Sequence, residues 1–96
     1  MAPEQLAGAK VDGRADLFSL GVTFYQLLTG AMPFEADSIA TLMYKIAHSR
    51  HVSVSKLRSG VPSCASRIVN QLLQKDVERR YQSGRELHKA LQRCLK

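Results

Sequence analysis

Residues 12–30 read DGRADLFSLGVTFYQLLTG, and the fold turns on how this stretch is read. Leu17, Phe18, Leu20, Val22, Phe24, Tyr25, Leu27 and Leu28 place apolar side chains on more than one side of any helix drawn through it. A helix that is hydrophobic all round is normally buried on all sides. Asp16, Ser19 and Gln26 interrupt the run, which also falls short of the about 20 predominantly apolar residues of a membrane span. The stretch therefore reads as the central post of a soluble, all-α domain. Asp12 can cap the free amides at its start, Thr29 and Gly30 supply a stop, and Pro33 bars resumption. Gly21 costs about 1 kcal/mol against alanine in mid-helix, which fits either a close approach by a neighbouring backbone or a merely tolerated glycine. Asp16 is the odd member, because a buried carboxylate needs hydrogen-bond donors even at the favourable end of a helix.

Outward from this post the chain offers shorter helices. Before it, Met1 to Ala9 make a helical turn at most, with Pro3 suited to the first turn and Gly8 able to end it. After it, a loop over 31–36 leads to Asp37 or Ser38, either of which can cap a helix running to about His48. Ile39, Leu42, Met43 and Ile46 recur there at helical spacing as one apolar stripe. A polar loop follows to Pro62, with Val52 and Val54 alternating with serines as a short extended segment. Ser63 then reads as the cap of a third helix that turns Ile68, Val69, Leu72 and Leu73 inward. A charged connection, KDVERRYQ over 75–82, precedes the capping box Ser83-Gly84-Arg85-Glu86 of the last helix. In that box serine and glutamate satisfy each other's orphan amides.

Ninety-six residues with 45% hydrophobic content suit one small domain of marginal stability. Cys64 and Cys94 have no spacing that suggests zinc or a disulfide framework, so they read as two lone thiols in a reducing, cytoplasmic setting. No secretory signal pattern is visible at the start. His48 and His51 are three apart, but no further His, Cys or carboxylate completes a metal site around them. The net charge of +6 is uneven: residues 1–48 carry three basic against five acidic side chains, residues 49–96 eleven against three. A basic half can attract nucleic acid, anionic lipid or acidic proteins. Without interleaved aromatics it reads first as a solvated surface.

The run Met1-Ala2-Pro3-Glu4, DLFSLG over 16–21, LLTG followed by Pro33-Phe34, and Lys75-Asp76 with Arg80-Tyr81 together resemble the C-terminal part of a protein kinase catalytic domain. The similarity is greatest to bacterial eukaryotic-like (Hanks-type) serine/threonine kinases, and the APE tripeptide gains its meaning from the company it keeps. The resemblance implies an all-α kinase C-lobe segment over 1–96: a short APE helix, a buried central helix and three further helices. It implies that Ala2, Pro3 and Glu4 form the APE motif and that Glu4 pairs with Arg80. It also implies that Asp16 and Gly21 belong to the central-helix motif, Asp16 anchoring a catalytic loop that this chain does not contain, and that Tyr81 packs locally. Val77 stands where the family usually has proline, and Thr23 where a larger apolar residue is common. Met1 matches a common family methionine, as an internal residue would. The Ile39, Leu42, Met43 and Ile46 stripe corresponds to a helix that often docks substrates or a partner kinase, although core packing accounts for much of it.

Phosphoryl transfer needs a glycine-rich loop, a strand lysine, a catalytic aspartate and asparagine, and an aspartate that holds magnesium. None of these motifs occurs here, and Asp16-Leu17-Phe18 lies inside the central helix. The chain is therefore expected to hold no catalytic, cofactor or metal residue of its own, with ATP and Mg belonging to the complete kinase. Its implied partner is the missing N-terminal part of the kinase domain. Two other readings stand beside this one. The first is a free-standing helical interaction module built from kinase sequence. The second is a helix-turn-helix DNA reader using the basic face Arg85, Lys89, Arg93 and Lys96. The connection before that face is long for such a turn, so no nucleic-acid partner is expected.

Overall fold

The structure, a computed structural model, describes residues 2–8 and 12–95. Met1 of the family-like run, Ala9 at the end of the first segment and Lys96 of the basic face lie outside the described residues. The helices are α1 (Pro3–Leu6), α2 (Gly13–Thr29), α3 (Ile39–His48), α4 (Val54–Leu57), α5 (Ser63–Leu72) and α6 (Gly84–Leu95), with a 3-10 turn at Val77–Arg79 before α6. No strand occurs among the described residues.

The central helix forms where the sequence places it. Asp12 accepts the Arg14 amide at 2.9 Å, one of the free donors at the helix start. At the other end Gly30 adopts φ 74°, and its amide donates to Gln26 O at 2.8 Å. That left-handed geometry carries no Cβ penalty for glycine. Gly21 faces α5 closely: a Cβ there would lie 2.7 Å from Leu72 Cβ and 3.2 Å from Leu73 Cδ2. The missing side chain is thus what lets α2 and α5 approach.

Two apolar clusters flank α2. Ala15, Phe18 and Tyr25 pack with Ala2, Phe34, Val54, Val69 and Leu73. Leu17 packs with Ile68, Leu72, Tyr81 and Leu87. Phe18 and Phe34 stack with ring centroids 6.2 Å apart. The four inward residues expected of α5 are all buried.

Several expectations are corrected. The central helix is not buried on all sides: Asp16, Ser19, Thr23 and Gln26 are exposed, and Leu27 is 76% exposed. The alternating segment at 52–55 is not extended throughout, because Val54 begins α4 and is fully buried. Tyr25 Oη donates to Val52 O at 2.6 Å just before it, so tertiary contacts override a very short alternation. Ser63 does not cap α5. Pro62 occupies the cap position, its carbonyl accepts the Ala65 and Ser66 amides, and Ser63 is already helical. Ser38, by contrast, caps α3 through the Thr41 amide at 3.2 Å.

At α6, Ser83 Oγ accepts the Glu86 amide at 3.2 Å, while the Glu86 carboxylate reaches back to the amide of Gln82, at 2.7 Å, rather than to that of Ser83. The cysteines are not lone thiols: Cys64 and Cys94 are joined by a disulfide between α5 and α6. Separation along the chain concealed a pairing that the packing of these helices creates.

Candidate functional site

Arg80 is the junction of the molecule. It is 1% exposed, and all five N–H donors of its guanidinium find acceptors. Nη1 and Nη2 form a two-pronged pair with the Glu4 carboxylate at 2.7 and 3.0 Å. Nη1 also donates to Arg14 O at 2.8 Å, and Nε and Nη2 donate to Gln74 O at 3.1 and 2.8 Å. The guanidinium carbon lies 5.0 Å from the centroid of the Phe18 ring. One side chain thus ties α1, the first turn of α2, the end of α5 and the turn before α6.

The electrostatics of Glu4 follow from this geometry. Burial pushes its carboxyl upward, but the hydrogen bonds from Arg80, helped by a backbone bond and by the arginine's charge, outweigh burial and hold it below its ordinary value. A buried carboxylate stays ionised when a planar, two-pronged donor meets it.

Further polar residues pin the elements around the junction. Arg14 binds Asp12, donates to Glu78 Oε1 at 3.1 Å and to Gln82 Oε1 at 2.7 Å, and its pKa is raised by the hydrogen bonds to Asp12 and Glu78. Lys75 Nζ donates to Ile46 O at 2.6 Å at the end of α3 and sits 4.5 Å above the Phe34 ring. A cation there complements the helix dipole. Burial lowers the Lys75 pKa. His51 Nε2 meets Asn70 Oδ1 at 2.7 Å, and its ring lies edge-on to Tyr25 and Phe34. Burial lowers its pKa, the Asn70 bond opposes that, and the Lys75 charge adds to the lowering. The sequence singled out Asp12 as a cap and Lys75 within a motif, but the partners of these residues depend on chain reversal.

The second feature is the open face of α2. Asp16, Ser19, Thr23 and Leu27 follow one another at helical spacing and form a single uncovered stripe. The Asp16 carboxylate makes no hydrogen bond or ion pair with the described residues. Leu27 borders an apolar cleft of about 240 Å³ between α2, α5 and α6. Asp16 and Gly21 therefore lie on different sides of the helix, one toward solvent and one against α5.

The α3 stripe divides in two. Leu42 and Ile46 pack against the Phe18 cluster, whereas Ile39 is 77% and Met43 41% exposed, beside an exposed Tyr44. Ala2 and Pro3 are buried in the APE turn, Ala2 within the same cluster. Between α5 and α6 runs a segment with its own 3-10 turn, unlike the tight connection of a helix-turn-helix.

A buried arginine that closes an APE helix onto the end of an all-helical segment, around a central helix, defines the C-lobe of a protein kinase. The chain belongs to the protein kinase family: the protein kinase domain model matches residues 1–93. Hybrid signal transduction histidine kinase G of Dictyostelium discoideum is 44% identical over 82 residues, which are 85% of this chain and 2% of that protein. The DNA damage-responsive serine/threonine-protein kinase RqkA of Deinococcus radiodurans is 38% identical over 87 residues, 91% of this chain and 13% of that protein. The twitchin kinase region of Caenorhabditis elegans superposes with a TM-score of 0.81 at 26% identity, covering 95% of this chain and 15% of that one. The chain thus spans a small part of each relative's length.

Proposed function

We propose that this chain is the docking and bracing part of a serine/threonine kinase C-lobe, inert alone. The complete enzyme would transfer the ATP γ-phosphate to protein serine or threonine. The observation that carries this reading is the uncovered stripe of α2. A carboxylate with no side-chain partner among the described residues and a large apolar side chain share one face of a core helix, and the rest of a kinase domain is the natural cover. In this reading Asp16 holds the catalytic loop, and Glu4 with Arg80 braces the segment that receives substrate.

ATP and Mg are assigned here to the complete kinase. Among the described residues no group of three His, Cys, Asp or Glu side chains could hold a metal ion. No phosphate-cradling loop is present in the sequence. Both belong to the N-terminal part of the domain, which is the first partner proposed. A protein substrate or partner kinase meeting Ile39, Met43 and Tyr44 is the second. A free-standing interaction module would use that same surface, and its exposed apolar cluster is what favours keeping the reading. The cytoplasmic placement now rests on the need for ATP and not on free thiols. No described helix is long and apolar enough to cross a membrane.

The test is phosphorylation by the full-length protein with ATP and Mg. Wild type should modify serine or threonine, and Asp16→Asn should lower kcat at least about tenfold, as loss of a residue that positions the reacting groups does. Ile39→Asp should weaken modification of a protein substrate while sparing a short peptide. Full activity in Asp16→Asn would contradict the assignment, and no phosphoryl transfer by wild type would leave the interaction module as the better reading.

A further inference from the structure

The disulfide between Cys64 and Cys94 spans 30 residues of sequence and ties the first turn of α5 to the last turn of α6. Both cysteines are half-buried, each keeping part of its surface in solvent. The helix they hold is thinly anchored. Leu87 is its one buried side chain among the described residues, Ala90 and Leu91 are half-buried, and Leu95 is 85% exposed. Cys94 stands where anchoring by packing runs out. With the bond closed, the last turn of α6 walls the apolar cleft bordered by Phe24, Leu27, Leu91 and Leu95.

The two sulfurs are chemically unequal. Cys64 is the second residue of α5, and no side chain caps that helix end. Free amides and the helix dipole favour a thiolate there, and Arg67 lies one turn further along the same helix, exposed. Cys94 is in the last turn of α6, where the dipole disfavours negative charge. Cys64 is therefore the better leaving group, and the lower-pKa thiol departs faster in exchange.

We propose that Cys64 and Cys94 form a reversible thiol–disulfide site that latches the end of α6 over the apolar cleft, with a dithiol as its reductant. One thiolate of the dithiol attacks Sγ of Cys94. A mixed disulfide forms, the bond between the cysteines breaks, and Cys64 leaves as a thiolate that takes a proton from solvent. The second thiolate of the dithiol then attacks its own partner sulfur in the mixed disulfide. The dithiol becomes a cyclic disulfide, and Cys94 is released and protonated. The dithiol loses two electrons and two protons, and the cysteine pair gains them. Oxidised dithiol runs the steps backward. The packing of α2 against α5 owes nothing to the bond, so reduction frees the last turn of α6 and opens the cleft while the core stays closed.

The experiment equilibrates the full-length native protein in oxidised or reduced dithiothreitol. Free thiols are trapped with iodoacetamide and located by mass spectrometry, and hydrogen exchange is followed over residues 84–95 and 13–29. The expected result is no labelling of Cys64 or Cys94 in the oxidised state and labelling of both after reduction. Amides near the end of α6 should then exchange about tenfold faster or more, those of α2 should not change, and oxidised dithiothreitol should restore the first state. Cys94→Ser should exchange at the fast rate in both buffers; should it not fold, the wild-type comparison decides alone. Two free thiols in oxidised buffer, equal exchange of α6 in both states, or failure of the bond to re-form would each overturn the proposal.

Discussion

Arg80 shows how much one side chain can hold. Its pair with Glu4 is out of solvent on both sides, and its other donors go to backbone carbonyls of Arg14 and Gln74. Arg80→Ala leaves a buried carboxylate and two carbonyls without their donor, a change that typically costs about 3–5 kcal/mol. A small helical domain cannot absorb that, so the variant should be largely unfolded by circular dichroism. A melting curve like that of wild type would contradict the pairing. Glu4 gives the same junction a pH signature. Its folded pKa lies below the ordinary 4.5, so the stability it contributes is present above 4.5 and is lost as pH falls through the folded value. Glu4→Gln should be less stable than wild type at neutral pH and should lose stability less steeply on acidification below 4.5. The pair was legible in the sequence through the kinase-like motifs, because both residues carry those motifs. The backbone acceptors were not, since no residue type announces where a carbonyl will point.

At the scale of elements, periodicity located α2, α3, α5 and α6, and the expected cap residues hold at α2, α3 and α6. What escaped was decided by tertiary contact. Val54 could not declare itself helical from two alternations, and Pro62 displaced Ser63 because its own extended backbone already satisfied the cap position. The disulfide escaped because nothing in the spacing of Cys64 and Cys94 shows that α5 starts where α6 ends. Gly21 was ambiguous in sequence and becomes specific beside Leu72. Gly21→Ala gains about 1 kcal/mol of helix propensity and pays about 1–3 kcal/mol for overpacking. The expected balance is a loss of about 1 kcal/mol in denaturant unfolding, since the atom met first is Leu72 Cβ, fixed to the backbone of α5. A stabilised Gly21→Ala would show that the two helices can separate freely.

For the whole molecule the telling quantity is what remains uncovered. The sequence of α2 reads as buried on every side, and the structure leaves the Asp16-to-Leu27 stripe and Gln26 exposed. That mismatch is physical: among the described residues the neighbours of α2 gather on the sides of Phe18 and Leu17. Ile39, Met43 and Tyr44 are exposed on α3, apart from the open stripe of α2. The most direct measurement is carbodiimide labelling of carboxylates in the full-length protein, with Asp37 as the exposed control on the same molecule. Asp16 and Asp37 are both exposed here. Protection of Asp16 while Asp37 reacts is the predicted result, because the rest of the kinase domain then covers the stripe. Equal labelling of the two would contradict the claim that α2 is the post of a larger kinase C-lobe.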